Sequence, residues 1–187
     1  SLGDRTKLEV VNPATGETSG AITLDRGLVS DPNEVFWAGG SIIAFDWFWP
    51  GASRAIDPGT GRTRFELHPP RHNAQTTEVL VRESLVVVVG RVHAASEYPV
   101  WAFDPRTGAA AFETTSSASV SAPTVLVSDD AAHVYVQRTP DQVVRLDHLG
   151  QERGTLDGRM VAASAGYLAL ARGPTLVVLR HGVDAPV

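Results

Sequence analysis

Ile56-Asp57-Pro58-Gly59-Thr60-Gly61-Arg62-Thr63-Arg64-Phe65 is the stretch on which the reading of this chain turns. Asp at the head of such a turn bonds its side chain to backbone N–H groups ahead, and Pro presets φ for a type I turn. The closing Gly accepts the left-handed conformation through which a hairpin ends in a bulge. The turn recurs as Asn12-Pro13-Ala14-Thr15-Gly16, as Asp104-Pro105-Arg106-Thr107-Gly108 and, shortened, as Asp147-His148-Leu149-Gly150. Its leading residue moves from 12 to 57 to 104 to 147, in steps of 45, 47 and 43 residues. Self-similarity at such a period marks a repeat architecture.

Between the turns, runs rich in β-branched and aromatic residues alternate with Gly, Pro, Asp and Ser clusters, which predicts strands throughout. The third unit reads as strands at Thr77–Arg82, Leu85–Val92, Val100–Asp104 and Ala109–Thr114. The fourth offers Thr124–Val127, His133–Arg138, Gln142–Leu146 and Arg153–Leu156, and the second Val35–Trp37, Ser41–Trp49, Ser53–Ile56 and Thr63–Leu67. A tight turn between first and second strands recurs at Gly39-Gly40, Glu83-Ser84, Ser128-Asp129-Asp130-Ala131-Ala132 and Ala165-Gly166. Four antiparallel strands per unit, in a meander, make the blade of a β-propeller. The ends are unequal: Leu8–Val11 and Thr18–Thr23 supply a third and a fourth strand, and Val161–Ser164, Tyr167–Arg172 and Thr175–Arg180 a first, second and third. The expectation is an all-β chain of about four to five four-stranded antiparallel blades, a partial ring. Blade parts fall at 1–25, 26–70, 71–117, 118–158 and 159–187. A partial ring needs further residues or a second copy to cover its edges.

Composition narrows the function classes. The 187 residues are 43% hydrophobic, enough for a sizeable core. A net charge of −5 argues against a broad electrostatic footprint for nucleic acid or an anionic membrane. With no cysteine, disulfides, thiolate metal sites and thiol catalysis are excluded. No apolar stretch approaches the roughly 20 residues of a membrane helix; the longest compact run, Leu85 to Val89, is strand length. The chain opens at Ser1, without a signal-peptide pattern, as a processed or trimmed piece of a longer protein is expected to.

The units turning on Asp57 and Asp104 resemble the A-x-D-x-x-T-G-x-x-x-W repeat of PQQ-like β-propellers, a group that includes quinoprotein dehydrogenases and the outer-membrane assembly lipoprotein of the BAM complex. The resemblance implies an aromatic docked between blades; Phe65 and Phe112 stand at that position, and Gly20 and Gly154 occupy it in the outer copies. Ser128-Asp129-Asp130-Ala131-Ala132-His133-Val134-Tyr135-Val136 is similar to the S-x-D-G-x-x-V-Y-V hairpin of YVTN-type and TolB-like propellers, with Ala131 where those have Gly. A bacterial, extracytoplasmic setting is what the resemblance favours, and fold alone does not give function.

Quinone catalysis would require a complete eight-bladed barrel and, in many members, a vicinal disulfide that a cysteine-free chain cannot form. Leu179-Arg180-His181-Gly182 carries an Arg-His-Gly core used by histidine phosphatases, but at the end of a strand it reads as a glycine turn. His68 and His72 flank a Pro-Pro-Arg loop without a third metal ligand, and Asp129-Asp130 lacks the D-x-D-x-D ladder of a calcium loop. Neither a cofactor nor a metal is expected. In Phe45-Asp46-Trp47-Phe48-Trp49, alternation places Phe45, Trp47 and Trp49 on one strand face, with Trp49 entering a loop. Aromatic residues at such edges anchor partners. The candidate binding residues are therefore Trp47, Trp49, Arg71, His72, His93 and Tyr98, and the candidate structural turn residues are Asn12, Gly16, Asp57, Gly61, Asp104, Gly108, Asp147 and Gly150. The expected function is a non-catalytic binding or scaffold module for a protein or small-molecule ligand, without nucleic-acid binding or membrane insertion. The alternatives are a metal-assisted lyase or hydrolase with its site in the channel, and an assembly piece whose ring a second chain completes.

Overall fold

The computed structural model describes residues 7–12, 14–23, 35–44, 53–67, 74–92, 98–116, 125–128, 130–164 and 166–182. Among them every regular element is a strand. The first sheet pairs β1 (Lys7–Val11) with β2 (Thr18–Thr23). The second runs β3 (Val35–Ala38), β4 (Ser41–Ala44), β5 (Ser53–Ile56) and β6 (Thr63–Leu67). The third comprises β7 (Ala74–Val81), β8 (Val86–Val92), β9 (Tyr98–Phe103) and β10 (Ala110–Ser116). The fourth comprises β11 (Val125–Val127), β12 (Val134–Thr139), β13 (Gln142–Leu146) and β14 (Glu152–Asp157). The fifth comprises β15 (Arg159–Ser164), β16 (Tyr167–Arg172) and β17 (Thr175–Arg180). Each sheet is an antiparallel meander in chain order. The strand expected over Ser41–Trp49 is described only to Ala44.

The second to fifth sheets stack face to face because strand alternation sends apolar side chains both ways. Along β8, Val86 and Val88 pack on Ile43, Ala55 and Leu67 of the second sheet, with Trp101 and Phe103 beside them. Val87 and Val89 face the opposite way, onto Val125, Val127, Val134 and Val136 of the fourth. A strand buried on both faces reads as a continuous apolar run rather than an alternation. Full burial of each such valine contributes about 1.5–3 kcal/mol. The pattern repeats one sheet on: Val134 and Val136 face the third sheet, while Tyr135 joins Leu156, Met160, Leu168, Leu170 and Leu179 against the fifth. Phe65 and Phe112 pack at the second–third and third–fourth junctions, as the repeat resemblance implies.

Polar bonds stitch the same junctions. Arg82 donates to the carbonyls of Val127 (2.9 Å) and Ser128 (3.2 Å) across the third and fourth sheets. The Ser116 hydroxyl donates to the Gln137 carbonyl at that junction. Gln137 is buried, and its amide nitrogen donates to the carbonyls of Thr139, Gln142 and Gly158 at 2.7, 3.2 and 3.0 Å. Its Oε1 accepts from the Met160 N–H at 2.6 Å, which ties the fourth sheet to the fifth.

Candidate functional site

The repeated turns of the second, third and fourth sheets line one end of the stack. In each, the leading residue's backbone and side chain both work. Gly16, Gly61 and Gly108 donate to the carbonyls of Asn12, Asp57 and Asp104 at 2.8 Å, and Gly150 to that of Asp147 at 2.9 Å. These glycines sit at φ of 72°, 70°, 74° and 75°, where a side chain is strained. The Oδ1 atoms cap the turn: Asn12 accepts from Ala14 N, Asp57 from Gly59 N and Thr60 N, Asp104 from Arg106 N, and Asp147 from Leu149 N and Gln151 N, at 2.7 to 2.9 Å.

The second carboxylate oxygen separates the repeats. Asp57 Oδ2 accepts from Arg64 Nη2 at 2.7 Å and Nε at 3.1 Å. Asp147 Oδ2 accepts from Arg153 at 2.7 and 2.9 Å. The Arg64 guanidinium, helped by the turn's N–H groups, holds the Asp57 carboxyl below its ordinary range. At Asp147 burial pushes upward, but the bonds from Gln151 N, Arg153 and Leu149 N outweigh it, and that carboxyl also lies low.

Beside Asp104 the third and fourth sheets leave a groove of about 460 Å³. Ala109, Ala110, Ala111 and Leu85 line its third-sheet wall, and Asp130, Ala131, Ala132, His148 and Leu149 its fourth-sheet wall. Leu149 stands 56% exposed at the mouth. Asp130 Oδ1 accepts from the Ser128 hydroxyl at 2.6 Å and Ala132 N at 3.0 Å, and the Ser128 bond above all keeps this carboxyl low. Ala131, where similar repeats have Gly, adopts φ of 57°.

A second polar cluster joins the fourth and fifth sheets. Tyr135 Oη lies 3.0 Å from His181 Nδ1, and His181 Nε2 lies 3.0 Å from the Ser164 carbonyl. A carbonyl only accepts, so the neutral ring carries its proton on Nε2 and Nδ1 accepts from tyrosine. The Gly182 turn (φ 76°) follows, against the His133 ring. Burial, with the positive charge of Arg145, pushes His133 below its ordinary value.

Trp47, Trp49, Arg71, His72 and His93, with His68, lie outside the described residues. Tyr98 opens β9 at the end opposite Asp104, half-buried against the third–fourth core. Among the described residues no three His, Asp or Glu side chains gather as a metal site. No helix there is long and apolar enough to cross a membrane. The groove itself was not singled out from sequence. Its signal was present: aligning the turns sets Ala111 against Arg64 and Arg153. Trp37 on β3 is 59% exposed.

No family model and no curated protein matches this chain. Solved structures do. The Dos1 propeller aligns with 96% of this chain and 53% of its own, at a TM-score of 0.55 and 12% identity. Kluyveromyces lactis Hsv2 aligns with 96% and 57%, at 0.53 and 12% identity. The β-propeller domain of Myceliophteria thermophila Cps50 (Swd1) aligns with 97% and 66%, at 0.50 and 11% identity. The fold is a β-propeller, present as part of a ring. This propeller spans about half the length of the Dos1 and Hsv2 structures it matches. At such identities the likeness is one of fold.

Proposed function

We propose that this propeller is a non-catalytic recognition or scaffold module of a larger bacterial protein, built from PQQ-like or YVTN-type repeats and binding a protein partner. One observation carries the reading: a frame locked on both sheet faces presents a rim of turns whose side chains differ between repeats and open a groove between the third and fourth sheets. A rigid frame limits the entropy lost on binding, which favours recognition. The test is a screen of immobilised peptides against the folded chain. Saturable, sequence-dependent binding is expected, and uniform failure across a diverse set rejects the reading. Trp47, Trp49, Arg71, His72 and His93 are proposed as further contacts, and Tyr98 as one at the opposite end of the stack. Trp49→Ala should then weaken a selected peptide by about 2 kcal/mol or more, the scale of an interface anchor.

A second reading, an assembly piece completed by a second chain, is favoured by the fifth sheet. Its outer face exposes Val161, Tyr167, Leu176 and Val178, a patch of the kind that the other junctions bury. Light scattering at micromolar concentration should show a dimer; a strict monomer removes this reading.

A further inference from the structure

We propose that the groove between the third and fourth sheets receives the guanidinium of an arginine side chain from a partner polypeptide, with Asp104 as its acceptor. The inference deepens the recognition reading and rests on it. Its basis is a substitution internal to the chain. The bulge residue on the last strand of the sheet is Arg64 in the second sheet, Arg153 in the fourth, Ala111 in the third and Ser19 in the first. Where arginine is present, it folds back over its own turn and saturates the aspartate's outer oxygen. Arg64 also donates through Nη1 to the Gly40 carbonyl at 3.1 Å and the Ser41 hydroxyl at 2.9 Å.

Ala111 removes the donor but leaves most of the acceptor set. Asp104 keeps its Oδ1 bond to Arg106 N at 2.7 Å, and no described cationic side chain reaches its carboxylate. Ser84, at the position of Gly40 in the hairpin, lines the same groove, and its carbonyl is the counterpart of the one that Arg64 meets. The groove opens at the place the missing side chain would fill. Asp130 adds a second carboxylate on the facing wall, while His148 stands at the rim.

The chemistry of the walls selects the occupant. Two carboxylates attract a cation, and a planar multi-donor fork matches a carboxylate plus a carbonyl better than a point charge does. Alanine methyls and Leu85 suit the aliphatic stem of arginine. Exposed Leu149 at the mouth provides an apolar contact for the flanking peptide, which favours an arginine within a polypeptide over a free guanidinium compound.

The probe is the acetylated, amidated tripeptide alanyl-arginyl-alanine, titrated into the isotope-labelled chain and followed by amide shifts at Asp104, Ala111 and Ala132. Saturable shifts are expected with this peptide and not with its citrulline counterpart, which keeps the shape but loses the charge. Asp104→Asn should weaken binding about tenfold or more, the worth of one charge-assisted bond. Ala111→Arg should abolish binding while preserving the fold, because two sister repeats already carry that residue. Equal binding of the citrulline peptide, or unchanged affinity in Asp104→Asn, overturns the proposal. Methylguanidinium binding as tightly as the peptide also overturns it, in favour of a small ligand. If the peptide screen finds binders indifferent to arginine and to Asp104→Asn, the recognition reading survives and this inference does not.

Discussion

Phe65 of the second sheet lies directly over Gly108 of the third, so closely that a β-carbon on Gly108 would sit 2.5 Å from Phe65 Cδ2. Phe112 stands over Gly150 of the fourth sheet in the same way. One glycine thus serves two needs: the left-handed turn of its own sheet, and the seat for an aromatic from the sheet before it. The repeat's aromatic and its glycine are a pair across the junction rather than within a blade.

Gly108→Ala should therefore destabilise by about 2 kcal/mol or more, combining left-handed strain with the clash against Phe65. Urea unfolding measures it. In a double-mutant cycle, Phe65→Ala should recover part of the loss, because the clash disappears and the turn strain remains. Strict additivity would show that the two residues do not compete for space.

Gln137→Leu should cost about 2–4 kcal/mol, since it strands the buried Met160 N–H and Gly158 carbonyl at the fourth–fifth junction. The same measurement checks this. A loss under about 0.5 kcal/mol, the range of ordinary surface changes, would contradict the role given to this side chain.

Stability should fall as pH drops through the ordinary histidine value of 6.5, because His133 is held below it in the folded state. The unfolded chain then takes up the proton first, so folding weakens on acidification and recovers above that value. Asp130 and Arg145 act on this ring, with Tyr135 and His181 packed beside it. Burial raises Glu78, which acts with the opposite sign above its ordinary 4.5. Comparing His133→Gln with the parent chain at about pH 7.5 and about pH 5.5 cancels the Glu78 share. The variant should show the smaller acid loss; equal losses reject the assignment.

Ala131→Gly should change stability by less than about 1 kcal/mol, in contrast to Gly108→Ala. Glycine relieves the positive φ at this position but gives up a buried methyl and adds freedom to the unfolded chain. Thermal melts of the two variants side by side make the comparison. A large loss in Ala131→Gly would mean that the methyl's packing outweighs backbone strain.

Much of this architecture is local and could be read from residues alone. The Asp-Pro-x-Thr-Gly turns depend on φ preferences and on side-chain bonds spanning a few residues, so their places at 57–61 and 104–108 follow from composition. The strands between them follow from β-branched runs such as Leu85–Val89. The propeller resemblance was legible for the same reason. What composition could not settle was the neighbour of each turn. That Phe65 rests on Gly108, that Tyr135 meets His181, and that Ala111 leaves a cleft beside Asp130 and Leu149 all depend on which sheets lie adjacent. Sequence by itself determined the repeating unit, because its turns and strands are held by bonds between near neighbours. Only the tertiary structure decided the groove, because its two walls come from sheets brought together by core packing.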